Sequence, residues 1–193
     1  MTVYQPLVNL VFQRLHIPVY QSGTENILQK SVIATVLMAL DAALSGFDQK
    51  SVLRYLRSAL SPVDPDTCDR IENYAIIWGI RGQKWTQSWE NHPDGLSGVW
   101  TEEDQHRLEE LNTARELAIA PLTRLWQGFR DASDLRGQIL ALYGFLEDIS
   151  LEMRLSRMAQ ELDAAGDNRA AQILNQLWEI LLGALEQMYD MLG

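Results

Sequence analysis

The stretch "DPDTCDRIENYAIIWGIRGQKW", residues 64–85, predicts a helix that runs into a loop rich in tryptophan. Asp64 and Pro65 are typical of a helix N-terminus, because an aspartate can accept hydrogen bonds from free N–H groups and proline has none to leave unpaired. Gly79 is typical of a helix C-terminus, because glycine readily adopts the left-handed conformation. Spacing along the helix predicts one buried face: Ile71, Tyr74, Ala75 and Trp78.

Apolar residues at helical spacing recur through most of the chain. They predict a face of α-helix at Val32, Ile33, Val36, Leu37, Leu40 and Leu44 and another at Leu108, Leu111, Arg115, Ala118, Leu122 and Leu125. Thr101 and Asp104 predict a capped N-terminus for the second of these helices, and Pro121 predicts a kink in it. Beyond it we expect one long helix or two in tandem, capped by Ser133 and broken near Gly166. The predicted fold is all-α, an irregular multi-helix bundle with at most one short strand, Ile17–Tyr20.

Composition indicates a soluble, acidic protein. The chain has 193 residues, a formal net charge of -10 and one cysteine, which excludes an internal disulfide and a cysteine-rich metal site. It has no apolar run of the roughly 20 residues that span a bilayer and no secretion signal pattern. We therefore expect a cytoplasmic location and no membrane partner.

The sequence offers little for catalysis. It contains no phosphate-binding loop of the Walker type, no nucleophile elbow and no zinc-protease motif. A single E-x-x-H run, Glu103 to His106, is half of the pattern that helical di-iron sites use twice. We expect no catalytic residue, no metal site and no cofactor within this chain.

Positive charge is concentrated in one region despite the acidic total. Residues 50–84 hold six Lys and Arg residues against four acids. Cations beside aromatic rings can hold phosphates and stack bases, although such rings serve protein cores more often. The candidates for DNA binding are Arg54, Arg57, Arg81, Lys84 and Trp89.

Other residues of this region are predicted to hold the loop in place: Glu72, Asn73, Tyr74, Trp78 and Trp85. In that arrangement Asn73 bonds loop backbone groups and Glu72 pairs with Arg81. The two roles predict different surroundings for Arg81 and Lys84. For DNA binding they project into solvent near other cations, whereas for packing they pair with acids or lie over tryptophan rings.

Three segments resemble the AddB (RexB-type) component of the bacterial AddAB ATP-dependent helicase–nuclease. They are "VLRYLRSAL" (residues 52–60), "DRIENYAIIWGIRGQKW" (residues 69–85) and "LNTARELAIAPLTRL" (residues 111–125). The matching motifs are E-N-Y with a following G-I-x-G-x-x-W, and a later N-x-x-R before Pro121-Leu122. Upstream, "RLHIPVYQSGTENI" (residues 14–27) is similar to the strand and turn that leave a helicase core domain in that family.

The resemblance implies an internal part of a longer protein. Residues 1–27 would be a helix and strand leading out of a RecA-like domain, and residues 28–193 a helical accessory domain of the 2B type. ATP, magnesium and a 4Fe-4S cluster would be bound elsewhere in the parent protein. The implied partners are the AddA subunit of the helicase–nuclease, with which AddB forms a heterodimer, and DNA through the whole complex.

Two functions agree with these sequence features. A stand-alone helical enzyme is a third, which the lack of paired catalytic groups disfavours. The first is an accessory or scaffold domain, not itself catalytic, of a helicase–nuclease that processes double-strand breaks for recombinational repair, where it could also guide DNA. The second is a protein-binding bundle that packs on the motor domains without touching DNA.

Overall fold

The computed structural model describes residues 31–96 and 99–191. Within these ranges the chain forms seven α-helices and no strand, which confirms the all-α prediction. The expected strand at Ile17–Tyr20, and the domain boundary near residue 27, lie outside the described residues. The helices are α1 (Ser31–Leu44), α2 (Gln49–Leu56), α3 (Pro65–Trp78), α4 (Glu102–Asp131), α5 (Leu135–Asp148), α6 (Leu151–Ala164) and α7 (Asn168–Met191).

Helix α3 has the predicted ends. The Asp64 carboxylate accepts a hydrogen bond from the Thr67 N–H group at 2.9 Å, and Pro65 is the first helical residue. Gly79 ends the helix in the left-handed conformation, with φ 57° and ψ 49°. The Ile80 N–H group then donates to the Ala75 carbonyl at 2.9 Å, which closes the last turn.

Helix α4 is the longest element, with 30 residues and a length of about 45 Å. Thr101 and Asp104 form the predicted capping box at its start. The helix continues through Pro121 and contacts α1, α3 and α5. Its predicted apolar face is confirmed, since five of the six positions are buried and Leu108 is partly so. It therefore links α1 and α3 to the helices that follow it.

The predicted face of α1 is wrong at two positions. Leu37 and Leu44 are exposed, and the small residues Ala39, Ala42 and Ala43 are buried instead. Helix α1 packs against both α2 and α4. Alanines suit this position because they permit close approach of helices on two sides.

The last three helices form a second layer. The N-cap of α5 is Asp134 rather than the predicted Ser133, and its carboxylate accepts from the Gly137 N–H group at 2.8 Å. The expected tandem is confirmed as two helices, α5 and α6, and the chain turns again at Gly166. Where α4 crosses α5, a Cβ atom on Gly128 would lie 2.5 Å from that of Ala141. Glycine thus allows α4 and α5 to approach closely.

No helix in the described ranges is long and apolar enough to cross a membrane.

Gly79→Ala tests the end of α3. The substitution should lower the free energy of unfolding by about 1 kcal/mol, because alanine is strained at positive φ and a Cβ atom there would contact nothing within 4 Å. Gly183→Ala in α7 is the control, since it is also free of contacts but lies inside a helix. It should raise the free energy by about 0.5–1 kcal/mol. Urea unfolding of both variants measures the difference, and a loss at both sites would contradict this explanation.

Candidate functional site

The loop after α3, residues 79–92, is called the tryptophan loop below. It lies between α3 and α4, and side chains from both helices bind its main chain. No strand pairs with it in the described residues. Side chains therefore satisfy several of its main-chain groups, because buried polar groups need partners where secondary structure supplies none.

Two aromatic residues of α3 bind the end of the tryptophan loop. The Tyr74 hydroxyl donates to the Asn91 carbonyl at 3.2 Å and accepts from the Asn91 N–H group at 3.0 Å. One turn further along α3, the indole N–H of Trp78 donates to the His92 carbonyl at 3.0 Å. Tyr74 is buried, whereas Trp78, which was predicted on the buried face, is only partly so; polar atoms of both rings position the loop.

Helix α4 binds the middle of the same loop through Asn112 and Arg115. The Asn112 amide accepts from the Trp89 N–H group at 2.8 Å and donates to the Trp89 carbonyl at 2.9 Å. Arg115 donates through Nη1 to the Trp85 carbonyl at 2.9 Å and through Nε to the Asn112 side-chain oxygen at 3.3 Å. The two residues are three apart on one helix face, so they reach neighbouring parts of the loop.

The start of the loop is bound to the turn between α1 and α2. The Gly82 N–H group donates to the Phe47 carbonyl at 2.9 Å, and Phe47 itself has φ 62°. A left-handed phenylalanine is strained, and here it points its carbonyl at the loop. Gln49 adds a bond from its side-chain amide to the Ala75 carbonyl at 2.7 Å. These contacts bring the N-terminus of α2 to the C-terminus of α3.

The tryptophan rings of the loop face inward. Trp85 is fully buried, and Trp89 is only 5% exposed. The Trp89 ring stacks on Tyr74 with centroids 4.5 Å apart, and the Arg115 guanidinium lies 5.9 Å from the Trp89 ring centre. Burial of the Trp89 ring removes it from the surface, so it does not support the predicted contact with a nucleic-acid base.

Two predicted loop-holding residues have other surroundings. Glu72 pairs with Arg57 rather than with Arg81. Asn73 is exposed, and its side chain makes no hydrogen bond within the described residues. Tyr74 and Trp78 do contact the loop, and Trp85 is part of it.

Two of the predicted DNA-binding cations are already neutralised. Arg54 lies 3.6 Å from the Asp41 carboxylate. Arg57 bonds Asp69 at 2.8 Å and also binds Glu72, and the Glu72 hydrogen bond is the main cause that raises the pKa of Arg57. An acidic partner offsets the charge of each guanidinium, which weakens its attraction for a phosphate.

Arg81 and Lys84 belong to the tryptophan loop, and Lys50 lies in the first turn of α2, close in sequence to Phe47, which binds this loop. All three side chains are exposed, and none pairs with a carboxylate in the described part of the chain. Lys84 approaches only the Trp78 and Gly79 carbonyls, at 3.4 and 3.5 Å. The contacts between Phe47 and Gly82 bring the neighbourhood of Lys50 to that of Arg81. We call Lys50, Arg81 and Lys84 the cationic corner.

Sequence reasoning missed the site roles of several residues: Asn112, Arg115, His92, Asp104 and Arg107. The N-x-x-R spacing of Asn112 and Arg115 was the available signal for the first two. His92 is buried beside Asp104, with Nε2 and Oδ2 3.4 Å apart. Arg107 bonds Asp94 and Asp104, each at 2.5 Å. These polar contacts connect the end of the loop with the start of α4.

The described residues offer no group of three or more His, Cys, Asp or Glu side chains that could hold a metal ion. Cys68 is buried, and burial raises the pKa of its thiol. A raised pKa lowers the reactive thiolate fraction at neutral pH. What this region can do chemically is therefore binding through exposed cations.

Comparison with known proteins finds relatives among bacterial ATP-dependent helicase/deoxyribonuclease subunits, to which this chain is similar. No family model matches the chain. Its relatives are named as the B-type subunit of an ATP-dependent helicase/deoxyribonuclease, which is AddB. The relative from Geobacillus thermodenitrificans is 32% identical, that from Caldanaerobacter subterraneus 27% and that from Clostridium acetobutylicum 24%. Each alignment covers 98% of this chain and 17% of the relative.

The chain is thus homologous to AddB along nearly all of its own length, which confirms the resemblance found in the sequence motifs. It spans about a sixth of the length of these curated relatives. The Asn-x-x-Arg and Gly-Ile-x-Gly-x-x-Trp motifs on which the resemblance depends meet in one place, the tryptophan loop.

Tyr74→Phe and Tyr55→Phe form a matched test of loop binding. The Tyr74 hydroxyl bonds Asn91 twice, whereas the buried Tyr55 hydroxyl has no partner in the described residues, and burial raises the pKa of Tyr55 to about 12. Tyr74→Phe should lower the free energy of unfolding by about 1–2 kcal/mol, and Tyr55→Phe should leave it unchanged or raise it by up to about 1 kcal/mol. Thermal unfolding measures both, and equal losses would contradict the assigned contacts.

Asp104→Asn tests the charges at the start of α4. Hydrogen bonds from Thr101 and then Arg107 hold the pKa of Asp104 below its ordinary value. The stability that this carboxylate contributes is therefore present above the unfolded pKa of about 3.9 and is lost as pH falls through the lower folded value. The variant should lose less free energy of unfolding than wild type between pH 5 and pH 2. Urea unfolding at intervals from pH 5 to pH 2 measures this loss for both proteins, and equal losses would contradict the role assigned to Asp104.

Proposed function

We propose that this chain is a helical accessory segment of the AddB-type subunit of an ATP-dependent helicase–deoxyribonuclease, which acts in recombinational repair of double-strand breaks. The observation that carries the proposal is the similarity to AddB over 98% of the chain. The segment itself has no catalytic role. ATP, magnesium and an iron–sulfur cluster act elsewhere in the larger protein, and AddA is the partner with which that protein forms a heterodimer.

Within the complex, the segment guides DNA past the cationic corner. Lys50, Arg81 and Lys84 support this role because they are exposed and lack carboxylate partners in the described residues. The tryptophan loop supports it as well, since side chains from α3 and α4 fix the main chain that carries Arg81 and Lys84. Fixed cations lose less conformational entropy on binding than mobile ones.

A second function, protein docking, is favoured by a groove between α5 and α7. The groove has a volume of about 490 Å³ and is lined by Ile139, Leu140, Tyr143, Leu182, Leu185, Glu186, Tyr189 and Asp190. Leu140 is 58% exposed beside it. The two acids at the groove would repel DNA and another copy of this acidic chain, so they favour a partner helix with an apolar face and basic flanks. This surface would bind protein while the cationic corner binds DNA.

Titration of the 193-residue chain with a forked DNA duplex tests the guiding role. Arg81→Ala/Lys84→Ala should weaken binding roughly tenfold or more near 50 mM salt and reduce the slope of log K against log salt by about 2, because two phosphate contacts are lost. Fluorescence anisotropy at several salt concentrations gives both quantities. Neither side chain packs in the core, so the thermal unfolding midpoint should stay unchanged.

Arg157→Ala/Arg169→Ala is the control for net charge. It also removes two exposed cations, but from α6 and α7. Wild-type affinity in this control, together with loss in the corner variant, supports DNA guidance by the corner. Equal losses in both variants, or no binding by wild type at low salt, would contradict it and favour the docking function alone.

A further inference from the structure

A polar pocket lies beside the tryptophan loop, between its residues Thr86 and Ser88 and the middle of α4. Its volume is about 380 Å³, and α4 contributes Arg115, Thr123 and Arg124 to its lining. The pocket shares no residue with the cationic corner, but both include residues of the tryptophan loop. Its chemistry is set by two guanidinium groups.

Arg115 brings a buried charge that has no ion-pair partner to this pocket. The residue is 7% exposed, and its hydrogen-bond acceptors are the neutral Asn112 amide and Trp85 carbonyl. No carboxylate lies within ion-pair distance among the described residues. Arginine remains protonated under such conditions, so its charge is retained. A buried charge without a counterion favours binding of an anion.

Further donors face the same space. Arg124 bonds Asp148 through Nε at 2.6 Å, and its two terminal nitrogens make no hydrogen bond in the described residues. The exposed Ser88 hydroxyl is likewise unbonded there. Glu116 also lines the pocket and opposes an anion, but it forms no ion pair with Arg115 in the described part of the chain. The donors open to an anion are thus Arg115, the terminal nitrogens of Arg124 and the Ser88 hydroxyl, while Glu116 and Asp148 offset part of the positive charge.

We propose that this pocket binds a phosphate group of a nucleic-acid backbone. Planar guanidinium groups suit phosphate oxygens, which they can bind in pairs. Lys84 of the cationic corner and Ser88 of the pocket are four residues apart, so their Cα atoms are at most about 14 Å apart. This upper limit spans at most about four base-pair steps along the axis of a duplex. A single strand could therefore contact both places.

The inference rests on the proposed DNA-guiding function and adds a second contact to it. An acidic protein surface carries oxyanions too, but the nearby exposed cations of the loop favour a continuous phosphate backbone. Nucleic acid is accordingly the ligand assigned to the pocket.

Two pairs of substitutions test the pocket in the full chain, with a forked DNA duplex as the probe. Ser88→Glu and Thr123→Glu each add a carboxylate to the pocket, and each should weaken binding roughly tenfold at low salt. Gln87→Glu is the control for Ser88, since it is the exposed neighbour outside the pocket. Thr113→Glu is the control for Thr123, because both threonine hydroxyls bond the carbonyl four residues earlier in α4. Both controls should retain affinity within about twofold.

The outcomes separate this inference from the proposed function. If Arg81→Ala/Lys84→Ala weakens DNA binding and neither pocket variant does, the proposed DNA guidance stands and phosphate binding by the pocket is wrong. Equal effects in pocket variants and controls also overturn the pocket. Polyglutamate tests the alternative ligand. If it binds wild type as tightly as DNA of equal charge does, and Ser88→Glu abolishes that binding, the pocket binds protein carboxylates and the nucleic-acid assignment is wrong. Circular dichroism establishes that each variant is folded, and Ser88→Glu, at an exposed and unbonded position, keeps the test valid if Thr123→Glu unfolds.

Discussion

The pairing of the Asn112 amide with both main-chain groups of Trp89 is the contact on which the rest of the site depends. It gives a loop segment the two hydrogen bonds that a neighbouring strand would otherwise supply. It also fixes the loop at a set distance from α4, so the Trp89 ring meets Tyr74 and the Trp85 carbonyl meets Arg115. Without this amide, burial of the loop would leave polar groups unpaired.

The same contacts leave the aromatic side chains of the loop buried and its cations exposed. Their aromatic rings face α3 and α4, where they add to the core. Their cations are left outside, because a charged group is costly to bury without a partner. An acidic protein thereby presents a small basic area with a fixed shape. Most of the 26 acids that give the chain its net charge of -10 lie in other parts of the sequence.

Most of the fold could be predicted from local signals. The ends of α3 and the capping box of α4 follow from side chains that bond their own helix, so Asp64, Gly79 and Thr101 suffice. The buried face of α1 was less predictable. Leu37 is exposed and Ala39 is buried, because the helices that pack on α1 decide which side is covered. For the site, sequence indicated the right loop but chose Asn73 for a task that Asn112 performs. Which of two asparagines reaches a loop depends on tertiary contacts that spacing does not reveal.

The tryptophan loop lacks regular secondary structure over most of its length, yet it belongs to the rigid part of the molecule. Its amides at Gly82, Trp89 and Asn91 are bonded by groups from three separate parts of the chain. Displacing the loop therefore requires α3, α4 and the α1–α2 turn to separate from it together. Its local unfolding is coupled to that of the helices, so the loop behaves as part of one cooperative folding unit and not as a hinge. Movement of this surface would then take place by rotation of the whole bundle.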